Sequence, residues 1–250
     1  MITTLITGIV FALAILFAML GLGGAMLYIP VFHWFGYDFK SVAIPTGLLL
    51  NGITALSAAV FYLRARMVDI KGSIPLIVAS FLGAPVGAWF TRLLPTRTLI
   101  ILFAVAMLFA GGRMLWTAGH PEKETMMPVG KRMALMGGGG FFVGFIAGLL
   151  GVGGGFLFVP MMIAMGYPTK RAAATSSFVV IFSSFSGFAG HIAEGHFDWA
   201  LMAATSLAVI VASQVGAKLM KEKMKARRIK QMFAVVLLGV AVKMVWELLS

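Results

Sequence analysis

The stretches GLGGAMLYIP (residues 21–30) and GVGGGFLFVP (residues 151–160) are one phrase written twice, 130 residues apart. Each lies inside a long uncharged run. The second run, residues 133–169, holds 37 residues without a charged side chain. At about 1.5 Å per residue a single helix of that length would reach about 55 Å, against roughly 30 Å of bilayer hydrocarbon. The run therefore has to break. Gly151, Gly153, Gly154 and Gly155 open backbone angles closed to other residues, and Pro160 lacks an amide hydrogen, so the break is expected at the phrase, as a hairpin or re-entrant element. Residues 1–37 are expected to break likewise at Gly21, Gly23 and Gly24. Broken backbone at membrane depth survives only where protein or a watery cavity satisfies its amides, so paired breaks point to a site at the midplane.

The rest of the chain fits a bilayer. With 60% hydrophobic and 11% charged residues and a mean hydropathy of +1.00, a soluble domain is excluded, because it would lack polar surface. Residues 42–63, 72–91, 172–193 and 199–217 are further uncharged runs of transmembrane length. Residues 98–116 carry only Arg113, and residues 231–248 only Lys243 and Glu247, near one end of each, where a basic side chain can snorkel to the interface. The first run lacks a basic leader and continues past any cleavage point, so it reads as part of the mature protein. With no cysteine, disulfides, thiol nucleophiles and thiolate metal sites are excluded. The net charge of +12 would suggest nucleic acid in a soluble chain. Here seven basic residues and one acid cluster in KLMKEKMKARRIK (residues 218–230) between two apolar runs. That is the signature of a cytoplasmic loop, and no aromatic platform interleaves it for a nucleic acid.

Sliding the chain by 130 positions pairs nine identities in thirty between residues 21–50 and 151–180: the three glycines, Leu27/Leu157, Pro30/Pro160, Gly36/Gly166, Tyr37/Tyr167, Lys40/Lys170 and Ala43/Ala173. The register persists to Trp116/Trp246. The fold expected is an all-α integral membrane protein of two repeats, residues 1–117 and 133–250, joined by a cytoplasmic linker, residues 118–132, with about eight to ten hydrophobic segments, broken ones included. Charge sets the orientation. If residues 64–71, the linker, Lys170/Arg171 and residues 218–230 all face the cytoplasm, the halves are inverted, with an odd number of crossings each. The location implied is the cell inner membrane.

The phrase with its sequel, GVGGGFLFVPMMIAMGYPTKRAAATSS (residues 151–177), resembles the TauE/SafE family of sulfite exporters over nearly the whole chain. The first copy is looser, with AIPTG (residues 43–47) where the family has Thr-Ser. The resemblance implies a secondary transporter of small sulfur-containing anions such as sulfite, sulfoacetate or other organosulfonates, with no catalytic residue, metal or cofactor. The residues themselves suit an anion. Thr175, Ser176 and Ser177 come early in an apolar run and Thr46 holds the matching place, where helix amino termini concentrate N–H donors; the same hydroxyls could equally cap a helix or bond the preceding turn. Asn51 and Gln214 are amides deep in uncharged segments, so each pairs across helices or faces a ligand. With Gly23, Gly24, Gly153 and Gly154 they make the expected substrate site. The lipid bilayer is the surrounding partner, nucleic acid is not one, and a homodimer is left open.

Other signals have plainer readings. GGGG (residues 137–140) and GAPVGA (residues 83–88) suit close helix packing. His191, Glu194, His196 and Asp198 fit a solvated loop better than a metal site. The serine-protease pattern G-x-S-G does not occur and no G-K-(S/T) follows a glycine cluster, so neither an enzyme nor ATP drive is expected; with no acidic residue inside a span, facilitated transport or coupling through a protonated substrate is left. Besides the transporter, an anion channel and a membrane assembly subunit remain as alternatives.

Overall fold

A computed structural model describes residues 2–119, 125–193 and 195–249. Among them the secondary structure is helical throughout: α1 (Ile2–Leu20), α2 (Ala25–Trp34), α3 (Ile44–Arg64), α4 (Ile70–Thr91), α5 (Thr96–Ala118), α6 (Val129–Leu150), α7 (Gly155–Ala164), α8 (Thr169–His191), α9 (Trp199–Lys223) and α10 (Ala226–Leu249). A π-turn, Phe39–Ala43, runs directly into α3 and makes a continuous 26-residue span. Among the described residues eight helices are long and apolar enough to cross a membrane, and α2 and α7 are too short. The chain is a multi-pass integral membrane protein.

Both runs break at the glycines. α1 ends in a Schellman turn, with Gly21 at φ 74°, Leu22 N donating to Phe17 O at 3.1 Å and Gly21 N to Ala18 O. α6 repeats it with Gly151, also at φ 74°, and Val152 N donating to Ala147 O at 3.0 Å. Gly23, Gly24, Gly153 and Gly154 all have positive φ, so the chain reverses within four residues and starts a short helix. The prolines do not close the motif. Pro30 and Pro160 sit inside α2 and α7, where each removes one helical hydrogen bond but does not end the helix. A second positive-φ glycine, Gly36 or Gly166, ends each hairpin.

Contacts sort the connections onto two ends. At one, Tyr167 meets Asp69, Lys170 reaches the Lys221 carbonyl, Lys230 that of Thr117, and Met127 N donates to Met165 O. At the other, Lys40 reaches the Leu94 carbonyl and His196 N donates to Ser41 O. The first end gathers residues 64–71, 131–132, 170–171 and 218–230, and with them most of the basic side chains. This grouping agrees with halves of opposite orientation, each a hairpin followed by three crossings.

The long arm of each hairpin packs on the other half. α6 lies against α4 and α1 against α9. Both seams are built on glycine: a Cβ on Gly148 would fall 1.9 Å from Ala84 O, one on Gly144 2.5 Å from Ser80 Cα, and one on Gly216 2.2 Å from Ile15 O. Gly83 and Gly87 likewise abut the α6 backbone, whereas Gly137 and Gly138 have open space. The packing reading of residues 83–88 therefore holds, while of residues 137–140 only Gly140 is in close contact with α4. α5 and α10 pack chiefly on each other.

Candidate functional site

The two glycine turns meet at the centre. A Cβ on Gly155 would lie 2.6 Å from Leu22 O, so the tips touch backbone to backbone. Each tip also presses on the other half: Gly21 on Ala173 of α8 and Gly151 on Ile44 of α3. Asn51 lies between the turns. It is the thirteenth of the 26 residues from Phe39 to Arg64, the middle of that span, and is fully buried. Its Oδ1 accepts from Ala25 N, the first amide of α2, at 2.7 Å. Its Nδ2 donates to Ser184 Oγ on α8, also at 2.7 Å. Gly23 and Gly153 leave this amide its room, since a Cβ on either would stand 2.3 Å from Asn51 Oδ1 or 2.0 Å from Asn51 Nδ2.

Around this amide the polar groups are arranged by the repeat. Ser183 Oγ donates to Gly153 O at 2.7 Å. Thr54, the counterpart of Ser184, shares a 3.3 Å hydrogen bond with Tyr28. Carbonyls near the ends of the long hairpin arms also accept from side chains: Tyr62 O–H donates to Ala18 O at 2.7 Å, and His191 Nε2 donates to Gly148 O at 3.0 Å. Neither N-cap glycine, Gly24 or Gly154, supplies a side-chain cap. The amino termini of α2 and α7 thus converge on the centre, each carrying about half a positive charge.

The remaining expected residues are distributed as follows. Thr46 and Ser176 occupy equivalent places, each the eighth residue of its span. Both are buried, and among the described residues neither hydroxyl has a hydrogen-bond partner. Thr175, Ser176 and Ser177 lie about two turns inside α8 and not at its amino terminus. Thr175 Oγ1 accepts from Asp69 N at 3.0 Å, and Ser177 Oγ donates to Ala173 O at 3.2 Å. Gln214 on α9 donates to both the carbonyl and the hydroxyl of Ser57 on α3. The centre therefore gathers Gly23, Gly24, Asn51, Gly153 and Gly154, with Thr175 and Gln214 engaged in contacts of their own. Ser183 and Ser184 carry no local sequence signal; the one available is the 130-residue shift, which places Ser184 on Thr54.

At the hairpin bases two tyrosines lie beside aspartates. Tyr167 O–H donates to Asp69 Oδ2 at 2.8 Å; burial first, then the adjacent carboxylate, push this phenol up to about 12. Tyr37 is raised by burial and then by the neighbouring Asp198 carboxylate. Both phenols stay proton donors across the physiological range. His191 points inward and Asp198 caps α9 at Leu201 N; Glu194 lies outside the described residues. Among the described residues no three acidic or imidazole groups cluster as a metal site.

A groove of about 580 Å³ lies elsewhere, between α5, α6 and α7, walled by side chains such as Phe109, Ile146, Leu157 and Met161 with Arg113 the charged residue. Phe109 and Phe142 on its rim are exposed. Its walls offer an anion almost no donors, whereas the turns offer amide ends, an amide side chain and hydroxyls.

Two glycine-turned hairpins that meet at mid-span in a helical membrane protein suit a membrane transporter. The family profile described as "Sulfite exporter TauE/SafE" matches residues 6–244, and the chain belongs to that family. Among curated relatives, a probable membrane transporter protein of Bacillus subtilis, YunE, is 28% identical over 262 residues, covering 92% of each chain. A probable membrane transporter protein of Methanocaldococcus jannaschii is 23% identical over 242 residues, covering 91% of this chain and 89% of its own. Sulfite exporter TauE/SafE family protein 1 of Arabidopsis thaliana is 34% identical over 104 residues, 42% of this chain and 21% of that one. No solved structure matches at a significant level. The chain is a membrane transporter of this family and not an enzyme.

Proposed function

We propose that the protein exports small sulfur-containing anions, sulfite or an organosulfonate such as sulfoacetate, by alternating access around the midplane where the two repeats meet. The observation that supports this most is the convergence of the α2 and α7 amino termini on Asn51. Gly23, Gly24, Gly153 and Gly154 would let the anion approach the backbone, Asn51 and the hydroxyls of Thr46 and Ser176 would donate, and Thr175, Ser177 and Gln214 would frame the path. The repeats are residues 1–117 and 133–250, with residues 118–132 between them. Neutral donors suit a carrier, because at about 0.5–1.5 kcal/mol each they bind without preventing release. An anion channel is the second reading. Saturable counterflow of labelled sulfite in proteoliposomes separates the two, and a flux that rises linearly with concentration would defeat the carrier.

Thr46 and Ser176 give a sharper check. Among the described residues their hydroxyls have no hydrogen-bond partner to lose, so Thr46→Ala and Ser176→Ala should leave folding unchanged. Each should weaken anion binding roughly two- to tenfold, the loss of one neutral donor. Gln214→Ala, measured beside them, reads the path through α3 and α9. Unaltered affinity in all three variants would move the site away from these residues.

We place the protein in the cell inner membrane with residues 218–230 in the cytoplasm, on the strength of their charge. In intact cells a cysteine introduced in that loop should resist a membrane-impermeant thiol reagent, while one at His196 should react. Labelling in the reverse pattern would overturn this orientation.

A further inference from the structure

The groove between α5, α6 and α7 is walled differently from the matching place in the first half. A shift of 130 residues sets α10 in the place of α5, and α1 and α2 in that of α6 and α7, with Lys243 for Arg113 and Trp34 for Ala164. In the first half Lys243 Nζ lies 3.1 Å from the centroid of the Trp34 ring, so an indole on the short arm of the hairpin meets the cation. In the second half a methyl group takes the place of that indole. Arg113 and Ala164 both line the open groove, and among the described residues the Arg113 guanidinium has no hydrogen-bond or ion-pair partner.

Both residues stand at the basic end of the bundle. Arg113 lies one turn before Thr117, whose carbonyl accepts from Lys230, and Ala164 directly precedes Met165, whose carbonyl accepts from Met127 N. From there the walls run to Leu102, Leu150 and Leu157, beside the second glycine turn. Leu102 and Arg113 are eleven positions apart on α5, about 16 Å at 1.5 Å per residue, which is about half of the roughly 30 Å of hydrocarbon. The groove is thus one leaflet deep, apolar along its length, and cationic where the headgroups of that leaflet lie. A small anion could pair with Arg113 but would leave the walls empty. An acyl chain alone would fill the walls and leave the guanidinium unpaired. A chain that carries a phosphate satisfies both, since a guanidinium pairs with phosphate in two parallel hydrogen bonds.

We propose that this groove is a binding site for one anionic phospholipid of the leaflet at the basic end, with an acyl chain between α5 and the second hairpin and the phosphate on Arg113. Basic pockets between transmembrane helices hold anionic headgroups in this way. The excess of basic side chains at that end favours a lipid of net negative charge over a zwitterionic one. The lipid takes the place that Trp34 holds in the first half, so one hairpin is braced by the protein's own side chain and the other by the membrane.

Native mass spectrometry of the purified protein, titrated with phosphatidylglycerol and separately with phosphatidylcholine, counts the lipids retained. The unmodified protein should hold one phosphatidylglycerol more tightly than any further one and more tightly than phosphatidylcholine. Arg113→Gln should weaken that first step about fivefold to tenfold, the weight of one basic side chain against an anionic headgroup, and leave phosphatidylcholine unchanged. Lys243→Gln, whose side chain already rests on Trp34, should leave the first step as it was. Ala164→Trp copies the first half and should abolish it. If that variant does not insert, Arg113→Gln carries the test, because its half-buried side chain has no pairing to lose among the described residues. Equal affinity for the two lipids in the unmodified protein, or equal losses in Arg113→Gln and Lys243→Gln, would overturn the site. So would a dimer that Ala164→Trp converts to monomer with its lipid count unchanged, since a second copy would then be the occupant. Each of these readings is independent of which anion the protein carries.

Discussion

Gly153→Ala should abolish transport in a protein that still inserts and purifies normally. The residue has φ 68°, where a side chain costs about 1–2 kcal/mol. The new methyl would stand 2.0 Å from Asn51 Nδ2 and 2.4 Å from Ser184 Oγ. Asn51 cannot move aside without giving up its bonds to Ala25 N and Ser184. Two buried polar groups left unpaired cost about 1–3 kcal/mol each. At about 1.4 kcal/mol per tenfold, that is roughly thirtyfold to ten-thousandfold in the population of the competent centre. Flux in proteoliposomes checks this, with monodispersity of the detergent-solubilised protein as control. Gly138→Ala, at a helical position with open space around it, should transport normally. Retained flux in Gly153→Ala would show that the turn does no more than reverse the chain.

Asn51→Asp separates an anion site from a merely structural knot. The substitution keeps the acceptor for Ala25 N and nearly the same shape, yet places a negative charge where the two helix amino termini converge. At about 4 Å and an effective dielectric of about 20, two like charges repel by about 4 kcal/mol, enough to weaken anion binding about a thousandfold at alkaline pH. Burial favours the neutral carboxylic acid. Acidification should therefore protonate the introduced carboxylate and restore part of the affinity, with no comparable restoration in the unmodified protein. Sulfite binding by calorimetry at two pH values reads the outcome. Binding untouched at alkaline pH would exclude Asn51 from the site.

Much of this architecture was legible because it rests on local backbone chemistry and on repetition. Four positive-φ glycines recurring at the same offset admit few structures within 37 uncharged residues, and the hairpins follow from that constraint. The ends could be sorted because basic residues concentrate in a few loops. Hydrogen-bond partners were less legible, since they depend on which helices become neighbours. Asn51 to Ser184 spans 133 positions and Tyr167 to Asp69 spans 98; nothing local distinguishes Ser184 from Ser183 or Ser186. Thr175 and Ser176 look alike in sequence, yet helical rotation of about 100° per residue sends Thr175 to the Asp69 amide and leaves Ser176 without a protein partner. Gln214, half-buried, pairs across helices with Ser57 on α3. The prolines misled for a physical reason. A ten-residue helix beginning at a glycine turn tolerates the loss of one bond, so Pro30 and Pro160 mark its middle.

The crossed seams, α1 on α9 and α6 on α4, have a consequence during synthesis. α6 emerges when its partner α4 is already in the membrane, so the second hairpin can be received as it is made. α1 has no such host. Roughly 180 residues separate Leu20 from the start of α9, and at about 5–20 residues per second the ribosome needs about ten to forty seconds to deliver them. Throughout that interval α1 lacks the helix it will pack against, and until α8 emerges Asn51 lacks the Ser184 hydroxyl. A fold symmetric when finished is therefore assembled unsymmetrically, and its most exposed nascent form is the one in which the first hairpin awaits a helix not yet translated.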